Sequence, residues 1–273
     1  MAKVIAVALP KGGVGKTTTA VNLAASLAVA EQRTLLIDMD TFGASGLSLG
    51  FTDGTIKAGL YEVFNFMTTL TNAIHKTGLP YLDFIPSNVH TLQSEDRITR
   101  LADNRTMLRN ALRGVLQLYD FIILDCPPFL RGLATNALTA ADSVLIPVKP
   151  GHFALDAVDK LFKYLEWVRD VANKSIVVEG ILVTMHEPNA RVTDITAREL
   201  QSKYQRYLFP VTIPKNNLLG EASFYGKPAV LYDVHSRGSI AYLELARQII
   251  ARTKAQDQTA LQATVQQKFS QQA

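Results

Sequence analysis

The segment Val4-Ile5-Ala6-Val7-Ala8-Leu9-Pro10-Lys11-Gly12-Gly13-Val14-Gly15-Lys16-Thr17-Thr18 decides the reading of this chain. Its first half is an unbroken apolar run, which predicts a buried strand. Its second half is a glycine-rich loop followed by helix-forming residues. Glycines let consecutive backbone N–H groups turn inward and form an anion-binding nest at a helix N-terminus. Lys16 is placed to reach the β- and γ-phosphates of a nucleotide, and the Thr17 hydroxyl to coordinate Mg²⁺. The pattern Gly-x-x-x-x-Gly-Lys-[Ser/Thr] is not met, because Pro10 stands at its first position. The variant Lys-Gly-Gly-x-Gly-Lys-Thr fits instead and adds a second lysine, Lys11. The candidate nucleotide-binding residues are therefore Lys11, Gly12, Gly13, Val14, Gly15, Lys16, Thr17 and Thr18.

Outward from this segment, short apolar runs alternate with longer amphipathic stretches. Strands are expected at Lys3–Leu9, Thr34–Asp38, Tyr81–Ile85, Phe121–Asp125, Ser143–Val148, Val177–Val183 and Phe209–Ile213. Helices are expected at Lys16–Ala30, Arg105–Leu118, Ala154–Val171, Thr193–Lys203 and Ser239–Thr253. Continuous apolar strands such as Phe121-Ile122-Ile123-Leu124 are those of a parallel sheet covered on both faces. The alternation predicts an α/β fold: a single doubly wound domain with a mostly parallel central sheet flanked by helices. No linker-like segment divides it. One domain is expected over 1–254, followed by a tail, 255–273, that is a frayed helix extension or disordered.

Composition narrows the chemistry. The chain has 273 residues, 48% of them hydrophobic and 19% charged, enough apolar material for a large core. Its one cysteine, Cys126, excludes an internal disulfide and any site needing several thiolates from one subunit. The five histidines are scattered and form no His-x-x-x-His pair, which argues against a zinc enzyme. The N-terminus lacks the features of a secretory signal, so a cytoplasmic protein is expected. Net charge is +4, and residues 181–273 hold all of the excess, with 11 Lys/Arg against 7 Asp/Glu. Such an excess is either an ordinary solvated surface or a weak footprint for a polyanion.

Two acidic stations accompany the loop. Leu35-Leu36-Ile37-Asp38-Met39-Asp40 ends the second expected strand, and alternation puts Asp38 and Asp40 on one side of it. Ligands of doubly wound sheets bind at that carboxyl edge. Phe121-Ile122-Ile123-Leu124-Asp125 is an apolar strand ending in an acid, which delivers Asp125 to the phosphate end to hold a water on Mg²⁺. Cys126-Pro127-Pro128 follows; Cys126 reads as a small buried side chain and not as a nucleophile.

Together these motifs resemble the ParA/MinD group of P-loop ATPases, whose Walker A motif carries the additional lysine found here as Lys11. The resemblance extends to Ile213-Pro214-Lys215-Asn216, Glu221-Ala222-Ser223-Phe224-Tyr225-Gly226-Lys227-Pro228 and Leu231-Tyr232-Asp233, and is Soj-like over about 3–252. It implies ATP sandwiched between two subunits, with Lys11 of each reaching the phosphates held by the other. A cation supplied across an interface stabilises the charge that phosphoryl transfer spreads over the equatorial oxygens. It further implies Lys11, Lys16 and Asp40 as catalytic residues, Asp40 activating the attacking water, and Thr17, Asp38 and Asp125 on the metal side. Pro214, Lys215 and Asn216 would flank adenine, and Arg191, Lys215 and Arg237 would contact DNA without sequence preference. A ParB-like partner or cargo adaptor would stimulate hydrolysis, giving a nucleoid-associated homodimer with ATP and Mg²⁺ as cofactors.

The sequence departs from the family after Asp40, where Thr41-Phe42-Gly43 replaces Pro-Gln-Gly. Phe42 has no hydrogen bonds to give a water, which keeps open a nucleotide-dependent adaptor that scarcely turns over. Leu218 stands where the family has an arginine. A MinD-like membrane-associated ATPase is the alternative function, and it would need an amphipathic C-terminal helix. Residues 255–273 offer only Leu261, Val265 and Phe269 at helical spacing, with Lys268, so no stable membrane association is expected. An electron-transfer relative would need paired cysteines, which a lone Cys126 does not provide.

Overall fold

The apolar runs become strands because helices cover both of their faces. The computed structural model describes residues 1–270, with side chains described up to residue 259 apart from Asp53. Its strands are β1 (Lys3–Val7), β2 (Thr34–Asp38), β3 (His75–Lys76), β4 (Leu82–Ile85), β5 (Phe121–Asp125), β6 (Ser143–Val148) and β7 (Val177–Val183). They form one sheet in the order β3-β4-β2-β5-β1-β6-β7. Every neighbouring pair is parallel except β3 with β4. This is the expected doubly wound α/β fold.

The helices are α1 (Lys16–Val29), α2 (Ala44–Ser48), α3 (Leu60–Phe64), α4 (Leu92–Leu101), α5 (Met107–Leu112), α6 (Leu133–Ala140), α7 (Ala154–Val171), α8 (Arg191–Tyr204), α9 (Asn217–Phe224), α10 (Ala229–Tyr232) and α11 (Arg237–Ser270). Side-chain alternation divides the core into two layers. Ile5, Val7, Leu36, Ile123 and Leu145 point to the layer filled by α1 and α11. Val4, Ala6, Leu35, Ile37, Ile122 and Leu124 point to the layer filled by α3, α5, α6 and α7. The sheet is thus buried on both sides, and its β1, β2 and β5 end together at one carboxyl edge.

Three expectations change. Phe209–Ile213 is not a strand: isolated bridges flank it at Ile181–Leu208 and His186–Pro214, and within it Phe209 N–H donates to Ile181 O at 2.9 Å and Ile213 N–H to Val183 O at 2.8 Å. The donors Phe209 and Ile213 are four positions apart while their acceptors Ile181 and Val183 are two apart, so the run bulges between them and packs on the core without forming a ladder. The helix expected over Arg105–Leu118 contracts to α5, and the chain leaves it near Gly114 through tight turns such as Val115 N–H to Leu112 O, 2.9 Å. Glycine in mid-helix costs backbone entropy, which favours that exit. Finally, β2 stops at Asp38, leaving Asp40 in the turn beyond it. The backbone of α11 continues past residue 254 to Ser270. The side chains of Leu261, Val265, Lys268 and Phe269, and all of 271–273, lie outside the described residues.

Candidate nucleotide site

β1 aims the glycine-rich loop at the carboxyl edge, and Gly15 lets α1 begin there. Its φ of 85° is left-handed, a conformation glycine adopts without strain, and Thr19 N–H makes an early ladder bond to Gly15 O at 2.8 Å. The amides ahead of it are the unpaired donors of a helix start. A Cβ built on Gly12 or Gly13 would meet nothing within 4 Å, so the front of the loop is open space for a phosphate chain. Its back is anchored: the buried Thr184 hydroxyl donates to Val14 O at 2.8 Å.

The Lys16 ammonium is largely buried and donates to Lys11 O at 2.9 Å, folding its side chain over the loop. Burial lowers its pKa, opposed first by the Asp125 carboxylate. The Lys11 ammonium lies at the mouth of the loop and donates to His152 O at 2.9 Å. His152 precedes Phe153, whose φ of 65° places a bulky side chain in the left-handed region where α7 begins.

Asp38 and Asp125 are direct partners in the β2–β5 register, and both are 0% exposed. Burial and mutual repulsion push the Asp38 carboxyl well above the ordinary carboxylate range. Burial raises Asp125 too, while the Thr17 and Ser45 hydroxyls and Lys16 pull it back. One residue bridges the two acids: Ser45 donates its N–H to Asp38 Oδ2 at 3.1 Å and its hydroxyl to Asp125 Oδ2 at 2.8 Å. Asp125 Oδ1 remains buried without a hydrogen-bond partner among the described residues. An orphaned carboxylate oxygen beside the Thr17 hydroxyl and Lys16 suits a hydrated Mg²⁺, which takes one or two protein oxygens plus phosphate and water. No group of three or more His, Cys, Asp or Glu side chains able to hold a metal occurs among the described residues, so the protein alone builds no closed cage.

Asp40 is half-buried beside this pair. Its N–H donates to Asp38 Oδ1 at 3.0 Å, and its Oδ1 accepts from Phe42 N–H at 3.1 Å. Phe42 itself is 88% exposed. Cys126 is buried, and burial pushes its thiol pKa up, consistent with an inert side chain. Farther out, Pro214 bridges to His186, Lys215 pairs with Glu187 at 3.1 Å, and the Asn216 side chain caps α9 by accepting from Leu218 N–H at 3.0 Å. Arg191 and Arg237 are exposed first residues of α8 and α11. The loop, Asp38, Asp40 and Asp125 therefore share one edge. Sequence reasoning missed Ser45, Thr184 and the His152 carbonyl. Ser45 sits in a run of small residues with no motif, and the other two act through contacts that no local pattern encodes.

The AAA domain family matches residues 2–178 of this chain. The chain is 40% identical over 250 residues to the chromosome partitioning protein ParA of Myxococcus xanthus, spanning 92% of this chain and 88% of that one. It is 37% identical over 251 residues to the sporulation initiation inhibitor protein Soj of Bacillus subtilis, spanning 92% and 99%. The chain belongs to the ParA/Soj family. A structural neighbour is cobyrinic acid a,c-diamide synthase of Mycobacterium smegmatis, solved with a bound ATP analogue and magnesium, with a TM-score of 0.78 and 27% identity over 93% of this chain and 96% of that one. Among the described residues of the chain no helix is long and apolar enough to cross a membrane.

Proposed function

We propose that this chain is a positioning ATPase that pairs around ATP, binds DNA without sequence preference when paired, and is released when a ParB-like partner stimulates hydrolysis. ATP hydrolysis, with ATP and Mg²⁺ as the cofactors, comes with the family to which the chain belongs. The observation that carries the reading is the meeting of an open lysine-rich loop with the buried Asp38–Asp125 pair at one sheet edge.

Mg²⁺, when bound, would supply positive charge that neutralises the phosphate oxygens and the charge developing on the leaving group. The chain's own residues do the rest. The loop amides and Lys16 hold the phosphates, and Lys16 balances the charge that develops on them. Thr17 and Asp125 hold the metal side, and Asp38 supports it through Ser45. Asp40 stands at the rim, where its carboxylate orients the attacking water and accepts its proton. The Lys11 ammonium rests on a backbone carbonyl of its own chain, a contact it exchanges for the partner's phosphates on pairing. Pro214, Lys215 and Asn216 line the adenine end. Arg191 and Arg237 offer exposed cations to DNA, and Lys215 joins them only by leaving Glu187.

Sedimentation with ATP tests this directly. Wild type is expected to shift to a dimer, while Lys11→Ala binds ATP but stays monomeric. A Lys11→Ala protein that pairs and hydrolyses normally removes the role given to that lysine. Co-sedimentation with DNA and flotation with anionic liposomes, both with ATP, separate this reading from a membrane-bound one.

A further inference from the structure

Ser45 has no place in the loop motif or in the acidic stations, yet it is fully buried and touches both metal-side acids. Its two bonds run to carboxylates on different strands, so neither acid moves without moving Ser45. Ser45 lies in α2, whose last residue makes a second contact: Ser48 and Ser223 share a hydrogen bond at 2.7 Å between their hydroxyls. Ser223 belongs to α9, the helix that starts immediately after Lys215 and Asn216.

A backbone joint reinforces the hydroxyl pair. Gly50 and Gly226 both have positive φ, 79° and 63°, and they lie against one another. A Cβ on Gly226 would stand 2.6 Å from Gly50 Cα, and one on Gly50 would stand 3.0 Å from Gly226 O. Two glycines in left-handed turns at this approach hold the ends of α2 and α9 together without side chains between them. α2 is thus fixed to the phosphate end at one side and to α9 at the other.

We propose that Ser45 is a positioning residue for the metal-side acids, and that α2 relays occupancy of the phosphate end to α9 through the Ser48–Ser223 and Gly50–Gly226 contacts. The response arrives at the Lys215–Asn216 segment, so metal and phosphate binding at one edge resets a surface cation and the adenine end. Packed elements transmit displacements of this kind because they shift between discrete arrangements. The relay rests on the ATP-binding reading above and adds to it.

Hydrogen–deuterium exchange of 44–50 and 216–226 tests the relay, with and without Mg²⁺ and a non-hydrolysable ATP analogue. Binding of a fluorescent ATP analogue is followed separately over a Mg²⁺ titration. In wild type both segments slow severalfold on loading. Ser45→Ala raises the Mg²⁺ concentration for half-maximal binding by about tenfold or more, the range for loss of a partner behind a metal ligand. In that variant 216–226 no longer responds. The Ser48→Ala/Ser223→Ala double variant keeps wild-type Mg²⁺ dependence and the response of 44–50, but its 216–226 response is lost or sharply reduced. The relay is overturned if 216–226 responds equally in all three proteins, or in none of them while the analogue binds. If wild type binds no analogue, the ATPase reading itself falls.

Discussion

Asp38 and Asp125 sit side by side in an apolar interior, where like charges and lost hydration both oppose ionisation. Their folded-state pKa values lie above their unfolded ones, Asp125 at about 6. By linkage, a carboxyl with a raised folded pKa costs stability where it must ionise, so the metal-free protein is destabilised as pH rises from about 4 through 6. Thermal denaturation in EDTA should therefore show a falling Tm across that window. Asp38→Asn should flatten the fall and raise Tm at pH 8, and Mg²⁺ with an ATP analogue should reverse it in wild type. An unchanged pH profile in Asp38→Asn would place the titration elsewhere. Lys16 is the companion case. Its ammonium is the cation beside the loop phosphates, so Lys16→Ala should cut steady-state hydrolysis by at least ~10²-fold, the scale for losing one preorganised transition-state contact. At this scale Lys11, Lys16, Thr17, Asp38, Asp40 and Asp125 could be named from the sequence, because each stands at a fixed offset within a strand–loop or strand-end pattern. Ser45 could not, because its meaning is a pair of contacts to Asp38 and Asp125.

α1 carries the loop at one end and is held to the C-terminal elements along its length. Asn22, buried inside it, donates to Thr18 O at 2.8 Å and accepts from Ala229 N–H at 2.7 Å. One turn earlier, the Thr19 and Tyr242 hydroxyls meet at 3.2 Å, fastening α1 to α11. Asn22→Ala leaves the buried Ala229 N–H without its partner, and should destabilise the protein by about 2–3 kcal/mol in urea unfolding. Tyr242→Phe removes only one hydroxyl, and about 1 kcal/mol is expected. Similar losses from the two would argue against the bridging role of Asn22. Elements such as α7, whose expected bounds Ala154–Val171 match the structure, were legible because a long amphipathic period survives any neighbour. The short α2, α3, α9 and α10 were not, since helices of one or two turns are held by packing and not by propensity. Phe209–Ile213 has strand-like composition, but a bulge between its two bonds to β7, which no local pattern encodes, denies it the ladder.

The whole molecule concentrates its basic excess in residues 181–273, and the exposed Arg191 and Arg237 both start helices in that part of the chain. DNA binding by the ATP-loaded protein should therefore weaken steeply with salt. A log–log slope of ~0.9 is expected for each phosphate neutralised on duplex DNA. Arg191→Ala and Arg237→Ala should each lower that slope by about one without altering hydrolysis in the absence of DNA. A slope unmoved by either substitution would assign the contacts to other cations.

Residues 10–18, the strand-end acids and the period of the long segments determined the fold class and the phosphate-binding edge without further help. Hydrogen-bond geometry at a strand–loop–helix junction is local, and alternation decides which side chains face the core. Only the tertiary structure decided that Asp38 and Asp125 stand opposite one another, that Ser45 joins them, and that α2 meets α9. Those relations depend on strand register and on approaches between residues far apart in the chain, such as Ser48 and Ser223, 175 positions apart, and packing alone brings such residues together.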